Sequence, residues 1–249
     1  MQILSSQLPT LKLNQHDIHL WLAFPNEIQA PELLSAYHQM MTPEEQVQQQ
    51  RFHFPKHRHQ YLITRALVRT TLSRYANIEP HQWRFSKNAY GRPEIIPQAG
   101  VPPLRFNLSH TDGLIICGVV LKQDIGVDVE NKERTGALIE IADRFFSQQE
   151  VKDLYALPEE QRQARFFDYW TLKESYIKAR GMGLSLPLEQ FSFLISENQA
   201  LRIAFDSRLQ DDPDKWQFWL LKLTEHHQAA VSICRESQVQ YQLKLMVND

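Results

Sequence analysis

The sequence predicts an α+β protein made of two halves of similar build. Each half has the same order, a strand, a capped helix, a long helix and further strands, which is the first observation behind the prediction. The second is a pair of capping boxes, in which Thr42 and Ser147 each precede a glutamate three positions on. No linker rich in glycine or serine separates the halves, and we place the boundary between residues 1–123 and 124–249. A site between such halves would lie at a domain interface, where ligands commonly bind.

The helices of the first half are predicted from their start signals. Thr42 followed by Pro43 and Glu45 is typical of a helix N-terminus, and this helix should run to about Arg51. Pro55 permits a second start, and apolar residues at helical spacing predict a longer helix over residues 57–76. That helix carries four arginines, which taken alone are typical of a solvated basic face: Arg58, Arg65, Arg69 and Arg74.

The strands of the first half are predicted from apolar or alternating runs bounded by turn residues. They cover residues 18–24, 83–86, 104–108 and 114–121. Residues 88–93 have turn chemistry, with Gly91 supplying conformational freedom, and residues 109–113 are expected to form a polar turn. A turn at residues 123–124 leads into the strand over residues 126–130 that opens the second half.

The second half is predicted to hold its helices before its remaining strands. A short helix over residues 138–144 precedes the capping box at Ser147, and a long helix over residues 158–180 ends at Gly181. We expect Phe166, Trp170 and Ile177 to form the buried stripe of the long helix, with Lys173 and Glu174 at its edge. The strands that follow cover residues 191–195, 201–205, 216–223, 229–234 and 241–247.

Composition and charge exclude several classes of protein. The chain has 249 residues, 43% of them hydrophobic, and a net charge of −2, so no overall field draws it to nucleic acid or to a membrane. Cys117 and Cys234 both lie in apolar runs, which favours buried thiols over a disulfide framework. The longest apolar run, residues 114–121, is too short to span a bilayer, and the first residues lack the pattern of a signal peptide. We therefore expect a cytoplasmic protein.

Acidic residues on one strand and one helix form the strongest chemical pattern. Side chains alternate along a strand, so Asp128 and Glu130 share one face, and Val127 and Val129 share the other. Residues four apart share a helix face, so Glu174 lies one turn from Lys178. If the strand and the helix pack together, these carboxylates can surround one hard cation. Mg²⁺ favours such a set, because it prefers oxygen ligands and keeps positions open for water and phosphate oxygens.

Two further segments offer groups for a phosphorylated ligand. Ser109 and His110, at the end of a strand, could hold phosphate oxygens, although a Ser-His pair in a turn is common and carries little weight alone. Tyr90 and Arg92, on a loop, suit stacking on a nucleobase and contact with it.

Together these segments resemble the Sfp-type 4′-phosphopantetheinyl transferases. The resemblance extends over residues 51–193 and is carried by four motifs in a characteristic order: residues 106–110 (FNLSH), 126–130 (GVDVE), 144–147 (RFFS) and 170–178 (WTLKESYIK). It implies a pair of α/β subdomains in pseudo-twofold arrangement, with the active-site cleft and coenzyme A between them. It also implies Mg²⁺-dependent transfer of the phosphopantetheine arm from coenzyme A to a serine of an apo carrier protein, releasing adenosine 3′,5′-bisphosphate. We also expect that Mn²⁺ can replace Mg²⁺ in this reaction.

The resemblance assigns a role to each candidate residue. Asp128, Glu130 and Glu174 are expected to bind the metal, and Asp128, Glu174 and Lys178 to be catalytic. The expected coenzyme A contacts come mainly from the first half, and they are Arg58, Arg65, Tyr90, Arg92, Ser109, His110 and Lys178. The base that takes the serine proton is either Glu174 or a metal-bound water. The expected partner is an acyl or peptidyl carrier protein, and the expected state is a monomer.

One position departs from the family pattern. Many members carry a basic residue about four positions before Phe52 that helps to hold the 3′-phosphate of coenzyme A, and here that position is Gln48. Arg51, Arg58 or Arg65 could supply the missing charge, with Arg65 best aligned to the family pattern.

Two other functions remain open from the sequence. One is a metal-dependent phosphotransferase or pyrophosphate-cleaving enzyme that acts on coenzyme A without a protein acceptor. The other is a catalytically silent module that binds carrier proteins. The complete set of three carboxylates argues against silence.

Overall fold

The computed structural model describes residues 10–136, 138–196, 200–236 and 239–247. The helices are α1 (Pro31–Met40), α2 (Pro43–Gln50), α3 (Pro55–Ser73), α4 (Leu138–Phe145), α5 (Gln148–Ala156) and α6 (Glu159–Arg180). The strands are β1 (Asp17–Ala23), β2 (Phe85–Lys87), β3 (Pro93–Ile95), β4 (Leu104–Thr111), β5 (Leu114–Leu121), β6 (Ile125–Asn131), β7 (Phe191–Ile195), β8 (Leu201–Phe205), β9 (Trp216–Lys222), β10 (His227–Cys234) and β11 (Gln242–Val247).

Two larger sheets form the centre of the molecule. The first is four-stranded with the order β11-β1-β5-β4, and the second is three-stranded with the order β6-β10-β9. The hairpins β2-β3 and β7-β8 form separate two-stranded sheets. The last strand, β11, returns to the first sheet and pairs in parallel with β1. The division at residues 123 and 124 stays a prediction.

Side-chain alternation places apolar residues on both faces of the first sheet. On one face Trp21, Cys117 and Val119 pack with Leu67 of α3 in one core cluster. On the other face apolar residues of β1 and β5 pack against the second sheet: Ile18, Leu20, Leu114, Ile116 and Val120 meet Ile125, Val127, Val129, Ala229, Val231 and Ile233. The molecule is therefore layered, in the order α3, first sheet, second sheet and α6.

The long helix α6 covers the outer face of the second sheet. It carries the centre of a further core cluster, which includes Phe166, Leu172 and Tyr176. The helix ends at Gly181, which adopts the left-handed conformation with φ of 64° and donates its N–H to the carbonyl of Ile177. Glycine adopts this conformation without a steric penalty, so the predicted stop signal is confirmed.

Most predicted elements are confirmed, including both capping boxes. Thr42 accepts a hydrogen bond from the N–H of Glu45, and Ser147 accepts one from the N–H of Glu150. Helix α1 was not predicted, because its N-cap residue Ala30 provides no side-chain hydrogen bond as a start signal.

The polar turn expected over residues 109–113 is wrong. Ser109 and His110 lie inside β4, whose pairing with β5 continues to Thr111 and Leu114. Asp112 and Gly113 alone connect the two strands, and Gly113 has a φ of 85°. An Asp-Gly dipeptide suits a two-residue hairpin, which lets β4 continue to Thr111 while β5 begins at Leu114, as predicted.

Both cysteines are free thiols, with Cys117 buried and Cys234 half-buried. Among the described residues, no helix combines the length and the apolar character needed to cross a membrane.

Candidate active site

The predicted acidic residues meet at the junction of the two halves. The even-numbered side chains of β6, Asp128 and Glu130, lie on the face toward α6, and Glu174 and Lys178 project from that helix into the same place. They line one pocket of about 330 Å³, together with Ser109, His110 and Trp170. The first half supplies Ser109 and His110 from β4, and the second half supplies the rest from β6 and α6.

Lys178 is fixed at the base of this pocket. Its Nζ donates to Asp128 Oδ1 at 2.7 Å, to Ser109 Oγ at 2.9 Å and to the carbonyl of Val127 at 3.2 Å. Ser109 Oγ donates in turn to the same Asp128 oxygen at 2.9 Å. This network links β4, β6 and α6, so one lysine, one serine and one aspartate hold the three elements in register.

The three carboxylates have the chemistry of a divalent cation site. The second oxygen of Asp128, Oδ2, is buried and has no hydrogen-bond partner. Burial, followed by the charge of Asp128, raises the pKa of Glu174 to about 7. Burial and then Asp128 also raise the pKa of Glu130, while Arg134 and Lys178 oppose that rise. A bound cation would pair with the orphaned oxygen and offset both the burial of these carboxylates and their mutual repulsion.

The three carboxylates are too far apart to bind one metal ion together. In the described part of the chain, no three His, Cys, Asp or Glu side chains converge closely enough to hold a metal ion as they stand. The residues fit Mg²⁺ by their donor chemistry, since all three groups are hard oxygen ligands around a buried, unsatisfied acceptor.

His110 is an exposed residue that lines the same pocket. Partial burial of its ring lowers its pKa, the positive charges of Lys178 and Arg65 lower it further, and the charge of Asp128 opposes them. The two cations near His110 would favour an anionic ligand beside the ring.

Arg65 and Arg58 lie on α3 and do not line this pocket. The Arg65 guanidinium stacks over the ring of Tyr61 at 5.4 Å and lies 3.8 Å from Glu45, while its Nε is buried without a partner. Arg58 Nε donates to the carbonyl of Phe52 at 2.8 Å. Arg65 thus has unused hydrogen-bonding capacity, and the Nε of Arg58 is already engaged.

Tyr90 and Arg92 also lie outside the pocket. Tyr90 is 55% exposed on the loop between β2 and β3. Arg92 lines a separate cavity of about 370 Å³ and bonds to the end of α6. The structure therefore brings together six of the predicted residues, Ser109, His110, Asp128, Glu130, Glu174 and Lys178, in one pocket whose lining does not include Arg58, Arg65, Tyr90 or Arg92.

The expectation that Lys173 lies at the edge of α6 is wrong. Its side chain is fully buried and pairs with Glu150, also fully buried, at 2.7 Å. Its Nζ also donates to the carbonyls of Leu188 and Phe191 at 2.8 and 2.7 Å. These partners compensate the charge, so Lys173 ties α6 to α5 and to the β7 segment, and does not face the pocket.

Other side chains contribute to the site without having been predicted. Trp170 lines the pocket while its ring stacks on Phe166 at 5.8 Å, so it serves both the core and the site. On β4, Asn107 accepts a hydrogen bond from the backbone N–H of Val127 at 3.0 Å, and Thr111 accepts one from Asn131 at 3.2 Å. The alternation of polar residues 107, 109 and 111 on one strand face was the sequence signal for this role.

Two family models and several named transferases match this chain in sequence. The family model described as the 4′-phosphopantetheinyl transferase superfamily matches residues 124–234, and the model of a 4′-phosphopantetheinyl transferase N-terminal region matches residues 29–119. The transferase HetI of Nostoc sp. is 34% identical over 198 residues, which cover 78% of this chain and 81% of HetI. The transferase Sfp of Bacillus subtilis is 36% identical over 163 residues, covering 66% of this chain and 70% of Sfp.

A solved holo-(acyl-carrier-protein) synthase from Bacillus anthracis is more distant. It is 13% identical, covers 46% of this chain and 96% of its own, and has a TM-score of 0.36.

The chain belongs to the 4′-phosphopantetheinyl transferase superfamily. Its similarity to Sfp and HetI confirms the Sfp-type resemblance predicted from the sequence, and it is an enzyme of this transferase class.

Proposed function

We propose that this enzyme transfers the 4′-phosphopantetheine group of coenzyme A to a serine hydroxyl of an apo acyl or peptidyl carrier protein. Adenosine 3′,5′-bisphosphate is the second product. The observation that carries the metal part of the proposal is the buried, unpartnered Oδ2 of Asp128 beside Glu130 and Glu174. Mg²⁺, for which Mn²⁺ can substitute, would be held by Asp128, Glu130 and Glu174.

A bound Mg²⁺ supplies charge neutralisation for the pyrophosphate and polarises the phosphorus that the serine attacks. The remaining requirements fall to side chains of the chain itself. A serine hydroxyl is a poor nucleophile at neutral pH, so it needs a base, and the leaving phosphate needs donors that match its developing charge.

Lys178 and His110 are the proposed donors to the phosphate oxygens. Asp128, Ser109 and the carbonyl of Val127 engage the three N–H groups of the Lys178 ammonium, so a phosphate oxygen would replace one of these acceptors while the other two keep the ammonium in the pocket. His110 lines the mouth of the same pocket from β4. Donors fixed in advance stabilise developing negative charge without reorganisation during the reaction. Ser109 contributes a hydroxyl between them.

Glu174 is the proposed base for the carrier serine. It lines the pocket on the same helix face as Lys178, one turn away. Its carboxylate is thus within the space where the phosphate donors and the acceptor hydroxyl must meet. Asp128 serves as a ligand and as the fixed partner of Lys178.

Arg65 is the proposed replacement for the charge that Gln48 lacks. Gln48 accepts a hydrogen bond from Arg51 Nη1 at 3.3 Å, and Arg58 Nε is engaged by the Phe52 carbonyl. The Arg65 guanidinium is 3.8 Å from Glu45, its side chain is 21% exposed, and its charge acts on His110. It is therefore the best placed of the three arginines to bind the 3′-phosphate. Tyr90, exposed on its loop, is proposed to stack on the nucleobase. The nucleobase contact expected of Arg92 stays a prediction, because both of its Nη atoms are already engaged by protein acceptors.

The pocket is built from one chain, so we propose that the enzyme acts as a monomer. The proposed setting is the cytoplasm, where coenzyme A and apo carrier proteins are both present. Neither a nucleic acid nor a membrane is part of the proposed reaction.

The test incubates the protein with coenzyme A, Mg²⁺ and an apo carrier protein, followed by mass spectrometry of the carrier. We expect the carrier to gain the mass of one phosphopantetheine group, and we expect EDTA to abolish the gain and excess Mg²⁺ to restore it. Cleavage of coenzyme A with an unmodified carrier would instead support the pyrophosphate-cleaving alternative. Carrier binding with neither reaction would support the silent module.

A further inference from the structure

A loop of the first half contacts the C-terminal end of α6. Arg92 Nη1 donates to the carbonyl of Ala179 at 2.8 Å and to that of Lys178 at 3.4 Å. Asn88 Nδ2 donates to the carbonyl of Gly181 at 2.8 Å. Carbonyls in the last turn of a helix lack intrahelical partners, and a cation there also interacts favourably with the helix dipole. The loop between β2 and β3 therefore caps α6 from outside its own half.

Arg92 is fixed on its other side as well. Its Nη2 donates to Glu94 Oε1 and to Asp124 Oδ1, both at 3.0 Å, and its side chain is 13% exposed. Gly181 leaves room for the guanidinium, because a Cβ at that position would lie 2.7 Å from Arg92 Cζ. The planar fork of arginine suits this arrangement, since it can address carbonyls along one edge and carboxylates along the other.

Asn88 holds the loop in the shape that delivers Arg92. Its Oδ1 accepts hydrogen bonds from the backbone N–H groups of Tyr90 and Arg92, both at 2.9 Å. The same side chain thus folds the loop with its oxygen and contacts α6 with its nitrogen.

We propose that Asn88 and Arg92 form a clamp that positions the last turn of α6, and with it Lys178, across the junction of the two halves. The carbonyl that Arg92 contacts at 3.4 Å belongs to Lys178, whose Nζ reaches Ser109 and Asp128. Arg92 is thus a positioning residue. The expected effect of Arg92 on kcat rests on the proposed transferase function, whereas its expected effect on the stability of the last turn of α6 does not.

Amide hydrogen exchange tests the structural consequence directly. Arg92→Met removes the donors to Lys178 and Ala179, and we expect exchange of the amides of residues 178–181 to accelerate about tenfold or more, as loss of a charged hydrogen bond implies. The matched control is Arg105→Met, because Arg105 pairs with the same Glu94 and Asp124 and, within the described ranges, donates no hydrogen bond to α6. The control should leave exchange in this segment within about twofold of the wild type.

The clamp is overturned if Arg92→Met leaves exchange at residues 178–181 unchanged. If Arg92→Met does not fold, Asn88→Asp carries the test instead. That variant keeps the acceptor for both loop N–H groups but loses the donor to Gly181, and it should accelerate the same amides.

Steady-state kinetics then separate positioning from direct contact with coenzyme A. A positioning role predicts that Arg92→Met lowers kcat about tenfold or more with the KM for coenzyme A within about twofold, and that Arg92→Lys does not rescue kcat. A raised KM for coenzyme A with unchanged kcat and unchanged exchange would contradict the clamp and support a nucleotide contact. If the wild type transfers nothing, the proposed function fails while the exchange experiment still decides the clamp.

Discussion

Gly126 of β6 lies in backbone contact with Ser175 of α6. A Cβ built on Gly126 would stand 1.9 Å from the Ser175 carbonyl oxygen and 2.4 Å from the Ala179 nitrogen. Both obstacles are backbone atoms, so neither can move without displacing the helix. This approach sets the distance between Asp128 on the strand and Glu174 on the helix.

Gly126→Ala is therefore expected to destabilise the protein and displace α6. Overpacking a core typically lowers the free energy of unfolding by about 1–3 kcal/mol, and we expect a clash with backbone atoms to cost at least the upper value of this range. The comparison is Gly118→Ala, where the added Cβ would meet the side chain of Val127 at 2.7 Å. Side chains can rotate away, so urea unfolding should show the smaller loss for Gly118→Ala. Equal losses would contradict the assignment of the backbone contact.

Glu174→Gln is expected to impair turnover more than coenzyme A binding. The amide offers one oxygen to a metal but cannot accept a proton from the carrier serine. Calorimetry with coenzyme A and Mg²⁺ should give a Kd near that of the wild type, while kcat falls about 100-fold or more. Parallel losses in both quantities would show that Glu174 is a ligand only and that the base lies elsewhere.

Arg65→Ala is expected to reduce the preference for coenzyme A over 3′-dephospho-coenzyme A. A charged contact to phosphate contributes about 1.5–3 kcal/mol, so discrimination should fall on the order of 10- to 100-fold. Arg51→Ala and Arg58→Ala are the comparisons, because either arginine could supply the charge instead of Arg65. Unchanged discrimination in all three variants would mean that the 3′-phosphate is held mainly by His110.

Asp168→Asn is expected to stabilise the protein at pH 7.5 but not at pH 4. Burial raises the pKa of Asp168 to about 6, against a usual value of 3.8. Because the folded-state pKa is the higher one, ionisation of Asp168 costs stability. That cost is absent below the unfolded pKa and complete above the folded pKa.

The gain from Asp168→Asn should therefore grow as the pH rises from 4 to 6 and then level off, at about 1–3 kcal/mol. Urea unfolding across this range measures it, with the exposed Asp214→Asn as the control. A gain that is constant with pH would show that the ionisation of Asp168 has no part in it.

Local patterns were sufficient to predict the centre of the site. Period-two alternation placed Asp128 and Glu130 together, and four-residue spacing placed Glu174 beside Lys178. Both rules concern neighbours within one element. The close packing of β6 on α6 depends on the glycine at position 126, where a Cβ would meet the backbone of the helix.

Long-range relationships could not be predicted in the same way. Local patterns do not predict the burial of Lys173, because its partner, Glu150, lies on another helix and its two further acceptors are backbone carbonyls. The loop position and charge of Arg92 predict a contact with a ligand, and the sequence gives no sign that Arg92 also donates to a carbonyl of α6. Ser109 and His110 were assigned to a turn because their polarity outweighed the hairpin signal of the next two residues.

Asp128 is the residue on which both the metal site and the position of Lys178 depend in the proposed transfer. Transfer by Asp128→Ala is measured as carrier mass over time, with circular dichroism to verify folding and Asp214→Ala as the control. We expect a folded protein whose transfer rate falls about 100-fold or more, because one hard ligand is lost and Lys178 is released. Near-normal transfer by the folded Asp128→Ala protein would show that Asp128 is neither a required ligand nor a required partner of Lys178.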